Sequence, residues 1–235
     1  MGSEKLAVGL VWYGVLLASI VLHEAAHAFA AWRLGDLTAY GLGQVTLDPV
    51  VHIRRSPFGL LVVPIISFLF WNWMIGWAST SYDPFWAVHN RKRAGLMALA
   101  GPMANLALVL IAGVTIRLSV NAGWFEVPSK IDFFHQVAQG GSTGLSSGVA
   151  VAVSILFMLN LILMVFNLIP LPPLDGSAVL TLFLSDSAAE RYNRLLYNPS
   201  FAIFGLVIAW QVFGAIIEPL SDLALSLLYP GVVFQ

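Results

Sequence analysis

The sequence contains no cysteine and few charged residues. With no Cys among its 235 residues, the chain can form neither disulfides nor thiolate metal ligands, so any metal ion must be held by His, Asp or Glu. Only 10% of the residues are charged, against about 25% in soluble domains. The net charge of -1 predicts no basic face and no nucleic-acid partner. The 59% hydrophobic content instead predicts a lipid bilayer as the surroundings.

Long apolar runs predict an all-α polytopic membrane protein. A helix needs about 20 apolar residues to cross the bilayer core. Four runs meet this length or come close to it, namely residues 6–32, 95–118, 149–168 and 201–217. A fifth run, 58–77, is interrupted by Pro64, Asn72 and Gly76. We therefore predict about four full transmembrane helices plus one re-entrant segment.

Smaller features complete the predicted architecture. The alternation in AYGLGQVTL predicts a small β-hairpin or strand region near residues 39–50. Pro219 is expected to end the last span and to start a separate apolar piece. No loop is long enough for another folded unit, so residues 1–235 are predicted to form a single domain. Its core would be 6–184, followed by C-terminal helices in 185–235.

The stretch SIVLHEAAHAFAAW, residues 19–32, places ionisable side chains within the first predicted span. His23 and His27 are four residues apart, so a helix presents both on one face, where they can bind one zinc ion. Glu24 lies beside the first ligand and can act as the general base of a metalloprotease. The alternative is a pair of histidines that form hydrogen bonds within a helix bundle. Ionisable groups inside a span cost about 2.5–3.5 kcal/mol when charged, which favours the metal site.

A catalytic zinc ion takes three protein ligands, so a third is required. Asp175 directly follows the apolar run 149–168, in the proline-rich stretch FNLIPLPPLDG. The prolines break the helix, and unwound backbone at membrane depth must be buried in protein or line a wet cavity. Asp175 is therefore the candidate third ligand. The alternative is that it only caps the next short helix.

The motifs together resemble the site-2 protease family of intramembrane zinc metalloproteases. The resemblance is carried by HEAAH, by the later NLIPLPPLDG, by ALAGPMANL at 98–106 and by LGQVTLDPVVHIRRSPFG at 42–59. The last stretch is similar to a compact prokaryotic branch without a PDZ or CBS domain. In it, Gln44, Asp48, Arg54 and Arg55 depart from that branch's pattern, as does GWASTSYDP at 76–84.

This resemblance implies a set of site residues. Zn²⁺ would be bound by His23, His27 and Asp175, with Glu24 as the base, while Asn105 and Asn167 would bind an unwound substrate strand. His52 has two interpretations from the sequence. It is either an ordinary loop or interface histidine, or a gate group that contacts the metal centre in a resting state.

The metal site also constrains the topology. HEAAH lies in the second half of one span and Asp175 lies just beyond the end of another, so these two helices must run in the same direction. An odd number of crossings must then join them, which leaves 58–77 as re-entrant. This arrangement puts eight of the eleven basic residues on one side, namely Arg33, Arg54, Arg55, Arg91, Lys92, Arg93, Arg191 and Arg194. The positive-inside rule then places the active site towards the cytoplasmic leaflet of the cell membrane.

The predicted function is hydrolysis of peptide bonds within or near the transmembrane helices of protein substrates. Two alternatives from other classes are a metal-ion transporter and a catalytically silent membrane scaffold. A transporter has no need of Glu24 in HEAAH, and a silent scaffold would not need it either. No oligomeric state is predicted.

Overall fold

Helices make up most of the chain, as predicted. The computed structural model describes residues 3–131, 137–140, 144–196 and 199–232. In chain order the helices and strands are α1 (Ser3–Leu34), α2 (Thr38–Gly41), α3 (Pro49–Arg55), a π-helical turn (Phe58–Val62), α4 (Val63–Trp71), α5 (Pro84–His89), α6 (Arg91–Asn121), β1 (Phe125–Glu126), β2 (Gln139–Gly140), α7 (Gly144–Asn167), α8 (Asp175–Leu180), α9 (Asp186–Leu196) and α10 (Pro199–Leu228).

Four of these helices are long and apolar enough to span a membrane. They are α1, α6, α7 and α10, which confirms the prediction of an all-α, multi-pass membrane protein. Helix α6 packs between α1 and α7, and α10 packs on the outer side of α7. One buried cluster joins α6, α7 and α10 around Ile116, Phe157 and Leu225. A second joins α1 to α7 through contacts such as those of Leu16 and Leu159.

The fifth apolar run enters the fold and returns. Helix α4 ends at Trp71, and the next residue, Asn72, adopts a left-handed conformation with φ of 59°. The chain then runs back alongside its own start, where the Trp77 N–H donates to the Gly59 carbonyl at 3.2 Å. The beginning and the end of the segment therefore lie together. This geometry is that of the predicted re-entrant segment, and α3 meets it at a bend of 113°.

The predicted β-hairpin near 39–50 is wrong. That stretch contains α2 and the start of α3, and the two strands found in the described residues lie elsewhere, pairing antiparallel between α6 and α7. Helix α3 begins where it does because Asp48 accepts a hydrogen bond from the Val50 N–H and Pro49 occupies the first helical position. Tyr40, Leu42 and Leu47 are all exposed, so the alternation in the sequence does not mark a half-buried strand.

The predicted break at Pro219 is also wrong. Helix α10 continues through this proline to Leu228. A proline inside a helix removes one backbone donor, but an apolar run of this length retains the other helical hydrogen bonds. Residues 201–228 are therefore one span rather than a span followed by a separate piece.

Candidate metal centre

The two histidines of HEAAH lie on one face of α1, one turn apart. Their side chains are buried, and their Nε2 atoms are 2.9 Å apart. The rings meet edge to face, with centroids separated by 4.6 Å. Because α1 is a continuous helix from Ser3 to Leu34, the four-residue spacing alone places both nitrogens at the same point in the protein.

The third predicted residue joins them from the far end of α7. Helix α7 ends at Asn167, and the proline-rich loop leads to Asp175, the first residue of α8. Oδ2 of Asp175 lies 3.2 Å from Nε2 of His23 and 3.3 Å from Nε2 of His27. The N-cap of α8 is Leu174 rather than Asp175, so capping is not the role of this carboxylate.

The three side chains fit a zinc ion. Their ligand atoms all lie within 4.8 Å of one another. A tetrahedral ion with ligand distances of about 2.0–2.2 Å places two ligand atoms about 3.3–3.5 Å apart, close to the separations of 3.2 and 3.3 Å found here. Oδ2 of Asp175 is buried and lacks a hydrogen bond of ordinary geometry among the described residues. An uncompensated buried acceptor beside two imidazole nitrogens is what a cation would satisfy.

Positive charge at the centre favours the ionised form of the third ligand. Burial by itself would raise the pKa of the Asp175 carboxyl, but the two neighbouring imidazoles, when protonated, outweigh burial and hold the pKa well below its usual range. A metal ion held by the same nitrogens would replace those protons and favour the carboxylate in the same way, and metal binding needs this deprotonated form.

The backbone of α6 forms one side of the centre. Gly101 lies directly against both imidazoles, and a Cβ atom at this position would collide with Nε2 of His27 and approach Nε2 of His23 to 2.6 Å. Only glycine lets α6 pack this closely beside the ligands. Helix α6 also orients His27, whose Nδ1 is 2.8 Å from the Met97 carbonyl oxygen. A carbonyl oxygen only accepts, so Nδ1 carries the proton and Nε2 is free for the metal.

Helices α9 and α10 brace the loop that carries Asp175. Leu174 packs against Ala209 of α10 in a small buried cluster. Gly205 of the same helix lies against the Pro172 carbonyl so closely that a Cβ atom would collide with it. From α9, the Tyr192 hydroxyl donates to the Pro170 carbonyl at 3.0 Å. The C-terminal helices, which carry no recognised motif, therefore hold the third ligand in position.

Glu24 is buried beside the histidines and bonded to the returning limb of the re-entrant segment. The Thr80 hydroxyl lies 2.8 Å from Oε2 of Glu24 and 2.9 Å from the Glu24 carbonyl oxygen. Both oxygens are acceptors, so the single hydroxyl proton is donated to one or the other. Thr80 thereby restricts the orientation of the carboxylate.

Two further buried side chains fasten this limb, residues 76–83, which we call the wall segment. Oε1 of Gln44 accepts a hydrogen bond from the Ser81 N–H at 2.9 Å, and its Nε2 donates to the Ser81 hydroxyl at 3.0 Å. Asp36 accepts the Asp83 N–H at 2.9 Å. Together with Glu24, they bind the wall segment at residues 80, 81 and 83. Gln44, which departs from the family's sequence pattern, therefore has a structural role, because it contacts Ser81.

A cavity of about 350 Å³ opens beside the centre. It is bounded by the three candidate ligands, by Glu24, by the wall segment from Ala78 to Thr80, and by α6 and the proline-rich loop. Arg91 is also part of the lining. The cavity is therefore partly polar and lies next to both a metal-binding cluster and a carboxylate, which is the arrangement needed to hydrolyse a bound molecule.

The remaining predicted residues lie in different places. Asn167 lines the cavity, and its amide donates to the Leu163 carbonyl at 3.0 Å. Asn105 is fully buried, and its Oδ1 lies 2.6 Å from Nδ1 of His23; its contact with substrate stays a prediction. His52 is buried in α3 with Nε2 3.0 Å from the Thr46 carbonyl oxygen, as expected of a loop histidine. Its role as a gate stays a prediction.

Sequence reasoning missed Gly101, Thr80 and the Met97 carbonyl. Gly101 lies within the stretch ALAGPMANL and Thr80 within GWASTSYDP. Both stretches are compared with the family in the sequence, but the pattern does not indicate the roles of these two residues. A glycine in the middle of an apolar helix signals close approach of another group, but the sequence does not say of which group.

Similarity to known proteins agrees with a metal-binding site of this kind. The family model described as peptidase family M50 matches residues 12–207. The protein named "Putative zinc metalloprotease YwhC" from Bacillus subtilis (strain 168) is 30% identical over 224 residues, which cover 87% of this chain and 91% of that protein.

Longer relatives match over part of their length. "Putative zinc metalloprotease Rip2" from Mycobacterium tuberculosis (strain ATCC 35801 / TMC 107 / Erdman) is 33% identical over 165 residues, or 70% of this chain and 53% of that protein. Its namesake from Mycolicibacterium smegmatis (strain ATCC 700084 / mc(2)155) is 31% identical over the same shares. The chain thus spans about half the length of these Rip2 proteins. No solved structure matches it. The family match and the identity to YwhC show that the chain belongs to peptidase family M50, the site-2 protease family.

Proposed function

We propose that the protein is an intramembrane zinc metalloprotease that hydrolyses peptide bonds within or near the transmembrane helices of membrane-protein substrates. One observation carries the proposal. His23, His27 and Asp175 meet within a bundle of apolar helices, beside a cavity that also contains Glu24. Charged groups at such a place are costly, and they are therefore rare except where they serve a function. Residues 1–235 are taken as a single protease domain.

In this proposal His23 and His27 bind zinc through Nε2, and Asp175 binds it through Oδ2. When bound, the ion acts as a Lewis acid that polarises the scissile carbonyl and makes water a better nucleophile. Gly101 allows α6 to lie against this centre, and the proline-rich loop brings Asp175 to it.

Glu24 is the proposed general base and general acid of the reaction. Its carboxylate takes a proton from the attacking water and later passes it to the nitrogen of the leaving amine. The Thr80 hydroxyl, 2.8 Å from Oε2, orients the carboxylate for this task.

The substrate would lie in the cavity as an extended strand, because a helical peptide hides its bonds within its own hydrogen bonds. Asn167 lines the cavity and is the side chain we propose to contact it. The distribution of basic residues favours a cell-membrane orientation with the N-terminus outside and the centre towards the cytoplasmic leaflet.

The test is cleavage of a transmembrane substrate in detergent by purified protein. Activity should require zinc, disappear with a chelator and return when zinc is added, and it should be lost in Glu24→Gln. A protein that takes up zinc but never cleaves would instead be a scaffold. Zinc flux across proteoliposomes that persists in Glu24→Gln would identify a transporter.

A further inference from the structure

A line of buried amide side chains leads away from the metal centre. Nδ1 of His23 is 2.6 Å from Oδ1 of Asn105 in α6. The Asn105 amide nitrogen donates to Oδ1 of Asn160 in α7 at 2.8 Å. The Asn160 amide nitrogen donates to the Ser19 hydroxyl of α1 at 2.9 Å and to the Leu156 carbonyl at 2.8 Å. The line therefore starts and ends on α1 and ties three spans together.

The far end of this line determines the direction of every hydrogen bond in it. The Leu156 carbonyl can only accept, so Asn160 must turn its nitrogen towards it and its oxygen towards Asn105. That oxygen can only accept, so Asn105 must present its nitrogen to Asn160 and its own oxygen to His23. The oxygen of Asn105 accepts in turn, so Nδ1 of His23 carries the proton and Nε2 keeps its lone pair.

Full burial makes this ordering effective. Asn105, Asn160 and Ser19 are each 0% exposed, so water cannot replace a partner that is lost. In such surroundings an unpaired amide is costly and the hydrogen bonds strengthen each other. Without Asn160, the Asn105 amide would be free to rotate by half a turn and present its nitrogen to His23.

We propose that Asn160 is a positioning residue that acts through Asn105 to hold His23 in the tautomer that binds metal. Asn160 lies two hydrogen bonds from His23 and does not line the cavity among the described residues. It therefore acts on the ligand and not on the substrate. This inference rests on the zinc site of the proposed function.

The first measurement is zinc affinity of the full chain in detergent, by competition with a chromophoric chelator. Asn160→Leu keeps the branching and the number of side-chain heavy atoms but gives Asn105 no acceptor, and it should weaken zinc binding about 10-fold or more, as loss of an outer hydrogen-bond partner does. Asn160→Asp keeps an oxygen that accepts from Asn105 but loses the donor to the Leu156 carbonyl, so its zinc affinity should be clearly higher than that of Asn160→Leu. Should Asn160→Leu fail to fold, Asn160→Ala removes the acceptor equally.

The second measurement asks whether the effect passes through Asn105. A carboxylate at this position has no nitrogen to present, so it accepts from Nδ1 of His23 whatever Asn160 does. Adding Asn105→Asp to Asn160→Leu should therefore restore zinc affinity to within a few-fold of the wild type. Because a carboxylate beside Nδ1 also strengthens His23 as a ligand by itself, the double variant is compared with Asn105→Asp alone. Equal zinc affinity of these two variants shows that Asn160 acts through Asn105, whereas a residue that only filled space or stabilised α7 would still lower the affinity.

Ser154 supplies the matched control on the same helix. It is also buried, and its hydroxyl oxygen accepts from the Val137 and Ala138 N–H groups. Ser154→Ala should lower the unfolding temperature and leave zinc affinity unchanged. Wild-type affinity in Asn160→Leu, or no rescue by Asn105→Asp, would overturn the inference. Absence of zinc binding by the wild type would overturn the proposed function itself.

Discussion

Gly101 of α6 lies against the ring of His27 so closely that a side chain on Gly101 would collide with Nε2, the atom proposed to bind zinc. Gly101→Ala should therefore displace the imidazole and lower zinc affinity by about 10-fold or more, even though alanine favours a helix by about 1 kcal/mol over glycine. Zinc competition and circular dichroism would measure the two effects separately.

Gly113 is the control for this substitution. It lies on the same helix, and a Cβ atom there would come no closer than 3.3 Å to the Phe157 ring. Gly113→Ala should leave zinc binding unchanged. Equal zinc affinity in Gly101→Ala and the wild type would mean that the ligand geometry differs from the one described.

Replacing Asp175 with Ala should remove one of three zinc ligands. We expect the zinc content of the purified protein to fall well below one ion per chain and cleavage to be abolished. Asp222 of α10 is exposed and does not belong to the cluster, so Asp222→Ala should retain full zinc. Stoichiometric zinc together with normal turnover in Asp175→Ala would remove this residue from the site.

Glu24→Gln should leave zinc and fold intact because the two side chains are nearly isosteric. Proteolysis should fall by about 10²- to 10⁴-fold, the contribution typical of a general base. The loss is measured as kcat on a transmembrane substrate at saturating zinc. Glu190 of α9 is exposed, and Glu190→Gln should cleave normally. A near-normal rate in Glu24→Gln would refute its role in proton transfer.

Thr80→Val removes the hydroxyl that contacts Glu24 and keeps the shape of the side chain. Hydrogen bonds to charged groups contribute about 1.5–3 kcal/mol, so kcat should fall about tenfold or more, with KM less affected. Thr80→Ser keeps the hydroxyl and should retain most of the activity. If Thr80→Val and Thr80→Ser behave alike, the hydroxyl does not orient the base.

If the segment is re-entrant, cysteines placed at its two flanks should react with a membrane-impermeant thiol reagent from the same side of the membrane. The labelling of an introduced cysteine can be assigned without ambiguity because the chain has no cysteine of its own. Ser56→Cys and Ser81→Cys should both be labelled only from the cytoplasmic side of oriented vesicles. Ser119→Cys, near the opposite end of α6, should be labelled only from the other side. Labelling of Ser81→Cys from outside would mean that the segment crosses the bilayer.

Local periodicity accounts for what the sequence predicted well. The lengths of the four spans and the shared face of His23 and His27 follow from the geometry of a helix. The pairing of Asp175 with His23 and His27 could be predicted because the chain has few carboxylates and a zinc ion needs one of them beside the two imidazoles. The re-entrant course of 58–77 followed from its polar breaks and from the required direction of α7.

Contacts between distant segments account for what the sequence did not predict. Asn105 meets His23 across 82 residues of sequence, and no local pattern separates that contact from one with substrate. The role of Gly101 depends on how near α6 comes to α1. The hairpin predicted from the alternation at 39–47 does not form, since the pair Asp48–Pro49 starts a helix there instead.

The wall segment is held at Thr80, Ser81 and Asp83 by side chains that include Glu24 itself. The limb that bounds the cavity is therefore the same piece of chain that sets the direction of the carboxylate. Any displacement of this limb would also turn Glu24, so the shape of the cavity and the alignment of the base are mechanically linked.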